Sequence, residues 1–428
     1  AAAVKRLIGE PADGRLAQAV SRGRGAEVAA GAGGEAGVRL GDRVVAPGAL
    51  CAAAIRHLCG LAEAELAAPV THAVLAVPGW FGAARRRVLA AAARDAGLAG
   101  CALISEPAAA ALAYGVHRRP QAQRLAVVCG GGGGIDVAII RATEGVFEVI
   151  GASGAPLGGE DVEAAVLELV LEGTLPRDLV PPADGRALAP LRGAVAAAVR
   201  ALDRAAFALV EAPLGDARLR HELTRATVEG CARPLLDRLA QACEAALDAA
   251  RLKTDHIDEV LLVGGLTRMP ALEGRVRVTF GRPLTRFNTG EVVAAGAATL
   301  AAVATHELEG FALIEALAHP VLLGTGGGPR RPVLPAGAAL PARATRVFAT
   351  GDDAQDALVL ELAAGEGRPA RVVIRDLPPA PAGAIRVQVA VTADTDGLLQ
   401  LEARDTRSGR VLPLHLPAAL TPPWEAAP

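Results

Sequence analysis

Three short segments place glycine, or a Glu-Pro pair, at the end of an apolar run: 104–115 (ISEPAAAALAYG), 124–140 (RLAVVCGGGGGIDVAII) and 260–270 (VLLVGGLTRMP). Glycine at such a point signals backbone that must approach something closely. In the second segment Gly131, Gly132 and Gly133 lack β-carbons, so consecutive amides can turn toward the oxygens of a phosphate. A glycine run by itself is weak, since most are flexible turns; between two apolar runs and beside Asp136 it points to an anion site. In the third, Gly264 and Gly265 allow the same close approach, and the Arg268 guanidinium can stack on a flat base. A strand-to-helix turn with a surface arginine is the plainer alternative. Lys5 has the compact ammonium suited to a point contact with phosphate, or is an ordinary surface lysine. Glu106, just ahead of Pro107, is also a plain helix-capping arrangement.

The elements that must hold these residues are legible from periodicity. A β-branched run over 70–78 reads as a buried strand, and the Ala- and Arg-rich stretch 83–96 as a helix stopped at Gly97. A short strand over 101–104 leads into a helix from Glu106 to Tyr114, with Pro107 in its first turn. Strands over 125–128 and 135–140 flank the glycine run. The pattern over 187–251 is helical, broken near 213–216 and perturbed at Pro234; 260–263 returns to strand, and 291–303 is a small-residue helix. This alternation argues for an α/β domain. Beyond Leu313 the character changes to short strands (346–348, 357–362, 370–374, 385–391, 398–404) separated by Pro, Gly and Asp, including the turn 394–397 (DTDG).

Composition narrows the class. With 428 residues, a net charge of −2 and 2% aromatics, the chain has room for two or three domains, no basic field for nucleic acid, and cores made of Ala, Val and Leu. No run approaches the roughly 18 apolar residues of a membrane span. The six cysteines form no C-x-x-C pair, and His72, His117 and His319 share no metal-binding spacing, so free thiols in a reducing cytoplasm are expected. Position 1 is Ala and the only methionine is Met269. The chain is therefore expected to be processed, trimmed or incomplete at its start.

Taken in order, the three segments resemble the nucleotide-binding domain of the Hsp70 chaperones. The similarity covers most of the chain, and 145–161 (GVFEVIGASGAPLGGED) looks closest to the HscA-like branch devoted to iron–sulfur cluster assembly. The resemblance implies an α/β actin-like ATPase domain (1–311, incomplete at its N-terminus), a linker (312–319), an all-β substrate-binding sandwich (320–416) without a C-terminal helical lid, and a Pro-rich tail (417–428). It implies binding of ATP or ADP with Mg²⁺, Lys5 as the catalytic lysine and Glu106 as the glutamate organising the metal–water shell. Gly131, Gly132 and Gly133 match the second phosphate hairpin, and Gly264, Gly265, Thr267 and Arg268 the segment beside the adenosine. No residue is assigned as a direct metal ligand. Phe348, Leu358 and Leu360 match positions lining the peptide groove, and equally suit any sandwich core. Client peptides, a J-domain co-chaperone and an iron–sulfur scaffold protein are the implied partners.

The departures matter as much. Cys129 stands where the family has an aspartate around Mg²⁺, Gly134 where it has a threonine near the γ-phosphate, and Ala108 where it has a threonine after the proline. A thiol is a poor substitute for carboxylate near a hard cation. On the adenosine-contacting helix Ala196 and Val199 replace the family's Glu and Lys, with Arg200 the nearest stand-in. Leu317 is read as replacing the acid that ends the linker, and Gly326 the groove-loop methionine. Arg86 matches an interdomain arginine or is one of a solvated row, 85–87. The first phosphate hairpin has no counterpart. A chaperone, a pseudo-ATPase that only binds peptides, and an actin-fold sugar kinase are the three readings; the β-module argues against the last.

Overall fold

The structure is a computed structural model that describes residues 4–24, 27–31, 34–118, 122–174, 188–214, 217–287, 290–365 and 369–416. The Pro-rich tail lies outside these residues, as does the side chain of His117.

Its centre is a six-stranded mixed sheet in the order Leu284–Arg286, Glu259–Val263, Ala122–Gly130, Ile135–Thr143, Val146–Ala155, Ala312–Ile314. Side chains alternate across a strand, and here both faces are covered. Ala126 and Val128 pack on the helices Gly159–Thr174, Ala189–Ala201 and Arg225–Ala250, whereas Leu125, Val127 and Cys129 face the helices Glu106–Arg118 and Val292–Ala304. The near absence of aromatics is met by close approach of backbones. Ala108 to Ala111 are fully buried, and a β-carbon on Gly296 would sit 1.7 Å from the Ala109 carbonyl oxygen. A separate parallel pair, His72–Val77 and Gly100–Ser105, is joined by the helix Ala83–Asp95.

One stretch departs from the helical reading of 187–251. Phe207–Leu214 and Ala217–Thr224 form an antiparallel hairpin between two helices. Its alternation of Val210 and Ala212 inward with exposed neighbours has period 2, a signal hidden by the longer helical pattern on both sides. Pro234, by contrast, lies inside the continuous helix Arg225–Ala250.

The C-terminal region is strand-rich, as its turns imply. A five-stranded and a four-stranded sheet enclose one apolar core that includes Leu323, Leu360, Val372, Val389 and Leu399. Ala342–Ala349 belongs to one sheet and Leu358–Ala364 to the other. Phe348 is thus on a different sheet from Leu358 and Leu360, and these strands, near in sequence, do not adjoin.

The connector is not a free loop. Ala312–Ile314 pairs in parallel with Val146–Glu148 at the edge of the central sheet. An acid within it, Glu315, anchors it: the residue is 7% exposed, and its carboxylate accepts from the Ser105 N–H at 2.6 Å and from the Ser105 hydroxyl at 3.2 Å. The arginine row is likewise buried rather than solvated. Arg86 donates to the Asp396 carbonyl at 3.1 Å and Arg87 to the Leu399 carbonyl at 2.7 Å, tying the helix to the β-module. Asp396 in turn accepts from Leu103 N–H at 2.8 Å.

Candidate functional site

The glycine run 131–134 closes the hairpin between Ala122–Gly130 and Ile135–Thr143, with the Gly131 N–H bonded to the Gly134 carbonyl at 2.9 Å. Its carbonyls are committed to the start of the next helix: Gly159 N–H donates to Gly131 at 3.0 Å and Glu160 N–H to Gly132 at 2.8 Å. The amides of Gly132 and Gly133 have no backbone or side-chain partner among the described residues. The hairpin therefore has two amides available while the Gly131, Gly132 and Gly134 carbonyls are engaged, which suits an anion nest.

Gly264 is brought against this hairpin. Its φ is +92°, and a β-carbon there would lie 2.3 Å from the Gly130 carbonyl oxygen, so the close approach read from sequence is between the two glycine segments themselves. Thr267 is buried, its hydroxyl donating to the Gly264 carbonyl at 2.7 Å, which closes the turn Gly265–Arg268. Gly265 and Arg268 are exposed, and with Gly131 and Gly132 they line a cleft of about 680 Å³. Its other walls include Glu160, Glu163, Val199, Arg200, Asp203, Arg204 and Arg286. Arg200, the stand-in, does reach this cleft, and it pairs with Glu163 at 3.7 Å.

Lys5 and Glu106 also meet, the Nζ lying 3.3 Å from Oε1 across a gap of 101 positions. Lys5 sits on the one-turn helix Val4–Leu7 and Glu106 opens Glu106–Arg118. Next to them is a carboxylate that the sequence reading used only as a flank. Asp136 is buried and accepts from the Trp80 N–H at 3.0 Å. Burial pushes its pKa up, the Glu106 charge adds to this, and the Trp80 and Gly79 amides and the Lys5 ammonium oppose it. Cys129, opposite Asp136 in the ladder, has its thiol held well above the ordinary value by burial and then by Asp136 and Glu106. It is a protonated, apolar group here. Gly134 has little room: a β-carbon would lie 3.0 Å from Trp80 Nε1 and 3.1 Å from the Ala155 carbonyl.

Arg6, beside Lys5, escaped notice in the sequence because a second arginine in a basic pair carries no pattern. It is buried, donating to Asp161 Oδ1 and to the Pro156 carbonyl, both at 2.8 Å, and its stem packs on Gly133. It fixes the helix Gly159–Thr174 against the hairpin. The predicted residues thus fall into two neighbouring groups joined by the glycine hairpin, one around Lys5, Glu106 and Asp136, one around Gly265 and Arg268.

In the β-module Leu358 and Leu360 are 4% and 0% exposed, inside the sandwich, while Phe348 is half-buried.

A family profile described as Hsp70 protein matches residues 1–417. A chaperone protein DnaK from Psychrobacter cryohalolentis is 32% identical over 436 aligned residues, which cover 97% of this chain and 67% of that protein.

Proposed function

The chain belongs to the Hsp70 family and shares its general function, ATP-dependent binding of client polypeptides; from that premise we propose that its nucleotide is held by Gly131, Gly132, Gly133, Gly264, Gly265, Thr267 and Arg268, with Lys5 and Glu106 at the reacting end. The observation that carries this reading is the pair of unpartnered amides on Gly132 and Gly133, on a hairpin that borders a cleft of nucleotide size.

At the reacting end the Lys5 ammonium supplies positive charge where phosphate oxygens gain negative charge. Glu106 holds that ammonium in place. Asp136 and Glu106 are hard oxygen donors that repel each other, a set that fits Mg²⁺ shared with phosphate oxygens; Cys129 is not part of it. When bound, the cation would neutralise phosphate charge and order water. No group of three or more His, Cys, Asp and Glu that could hold a metal occurs among the described residues.

We further propose that hydrolysis is slow. The Cys129 thiol cannot replace a carboxylate, and Gly134 carries no hydroxyl. Losing a group that positions the nucleophile costs on the order of 10²–10⁴ in rate. The same two residues support the second reading, a pseudo-ATPase that binds peptides without nucleotide turnover.

Client peptides are proposed to dock on the β-module where half-buried Phe348 packs against its core, with Leu358 and Leu360 inside that core. A role in iron–sulfur assembly, with a scaffold protein and a J-domain co-chaperone as partners, is supported by the 145–161 segment alone. Cytoplasmic residence is the reading that the free cysteines support. No described helix is long and apolar enough to cross a membrane.

Thermal unfolding with and without Mg·ATP and Mg·ADP tests the nucleotide reading. Nucleotide that binds the folded state stabilises it by about 2.7 kcal/mol at 100 times Kd. A raised midpoint is expected, followed by weak single-turnover hydrolysis. A cooperative transition unmoved at millimolar nucleotide would leave the peptide-binding reading.

A further inference from the structure

Trp80 is 3% exposed, and its indole Nε1 is buried without a hydrogen-bond partner among the described residues. Tryptophan is a donor only, so this N–H calls for an acceptor, and buried donors left without one are rare. The ring is fixed in place. Asp136 Oδ1 accepts from the Trp80 backbone N–H at 3.0 Å, and Phe81 packs edge-on with centroids 4.7 Å apart. The Arg85 guanidinium, ion-paired with Glu10, lies 4.5 Å over the indole face. Held so, Nε1 is aimed at Gly134, the end of the glycine run. A β-carbon there would lie 3.0 Å from Nε1 and 3.1 Å from the Ala155 carbonyl oxygen. With no side chain at 134, the N–H stays uncovered. Neither Asp136, which takes the Trp80 amide, nor Glu106, which holds Lys5, accepts from the indole.

We propose that the Trp80 indole N–H binds an oxygen of the terminal phosphate of ATP, and that glycine stands at 134 to leave that N–H open. The inference rests on the nucleotide reading above and adds a residue to its reacting end. A phosphoryl oxygen is an anionic acceptor, and a hydrogen bond to it is stronger than one to a neutral group, the more so away from water. The same corner already gathers groups suited to phosphate: the Lys5 ammonium, and the amides of Gly132 and Gly133 just before Gly134. Position decides which phosphate is met. Trp80 stands with Asp136 at the reacting end and does not line the cleft that Gly265 and Arg268 border. ATP therefore gains this contact, and ADP, one phosphate shorter, does not. An alanine methyl at 134 would fill the space in front of Nε1 and block the bond.

Calorimetric titration of the full chain with Mg·ADP and with the Mg²⁺ complex of a non-hydrolysable ATP analogue tests this. Wild type, Trp80→Phe, Gly134→Ala and the double variant are compared. A hydrogen bond to a charged group is worth about ten- to a hundred-fold in affinity. Trp80→Phe should lose that factor for the ATP analogue and leave ADP binding nearly unchanged. Gly134→Ala, which keeps the indole but covers its N–H, should show the same selective loss. The double variant should lose no more than either single one, since both remove one contact. If Trp80→Phe does not fold, Gly134→Ala decides by the same comparison of the two nucleotides. Equal weakening of both nucleotides, weakening of neither, or additive losses would overturn the phosphate contact and leave the nucleotide site standing. Binding of neither nucleotide by the cooperatively folded wild type would overturn the site itself.

Discussion

Asp136 shows what burial does to a single carboxylate. Inside the central sheet it is paired with amides rather than a cation, and its pKa is raised by burial and by Glu106. An acid whose pKa rises on folding contributes stability only while protonated. That contribution is full below the ordinary 3.8 and is lost as pH climbs through the raised value. Asp136→Asn keeps an acceptor for the Trp80 N–H and removes the charge. It should raise the midpoint of unfolding of the nucleotide-free protein at neutral pH. The gain should vanish below about pH 4. Midpoints taken across the pH range check this, and a gain independent of pH would show that charge is not the cause. Cys129, its ladder partner, needs no such relief because its thiol stays neutral.

At the scale of elements, the connector decides how the two halves meet. Its strand Ala312–Ile314 closes one edge of the central sheet, and Glu315 then turns the chain by binding Ser105. Glu315→Ala would leave a buried N–H and hydroxyl without their acceptor, at a cost of about 1–3 kcal/mol. Because the strand is only three residues long, this loss should free it from the edge. Limited proteolysis should then cut within 312–319 several times faster than in the wild type, and an unchanged cleavage rate would show that Glu315 does not hold the connector. Arg86 and Arg87 act on the same junction from the helix Ala83–Asp95, so the junction should weaken without coming apart.

For the whole molecule, stability and client binding should separate within the β-module. Leu360 has no exposed surface, so Leu360→Ala should cost about 2–5 kcal/mol in denaturant unfolding. Phe348→Ala should cost less in stability and weaken binding of a short apolar peptide, read by fluorescence anisotropy. If peptide affinity falls only with Leu360→Ala, the peptide meets the module elsewhere.

Much of this protein was legible along the chain because the signals are local. Apolar runs marked the strands around the glycine run, Glu106-Pro107 marked a helix start that the structure places at Glu106, and Asp394 to Gly397 form the expected turn, with Gly397 at φ +74°. Glycines at the ends of apolar runs marked close approach, which Gly264 and Gly130 make with each other. Where the sequence reading failed, the deciding contact was distant or the local pattern was outvoted. The hairpin Phe207–Leu214 with Ala217–Thr224 was masked by flanking helices, and Glu315 was passed over because its partner is 210 positions away. Residue type and spacing alone determined most of the strands and helices, and where glycine lets backbone approach closely. Tertiary structure alone decided which charges are buried, which are paired, and which are left facing the cleft. Burial and pairing depend on neighbours that the fold brings together, and the order of residues along the chain does not record them.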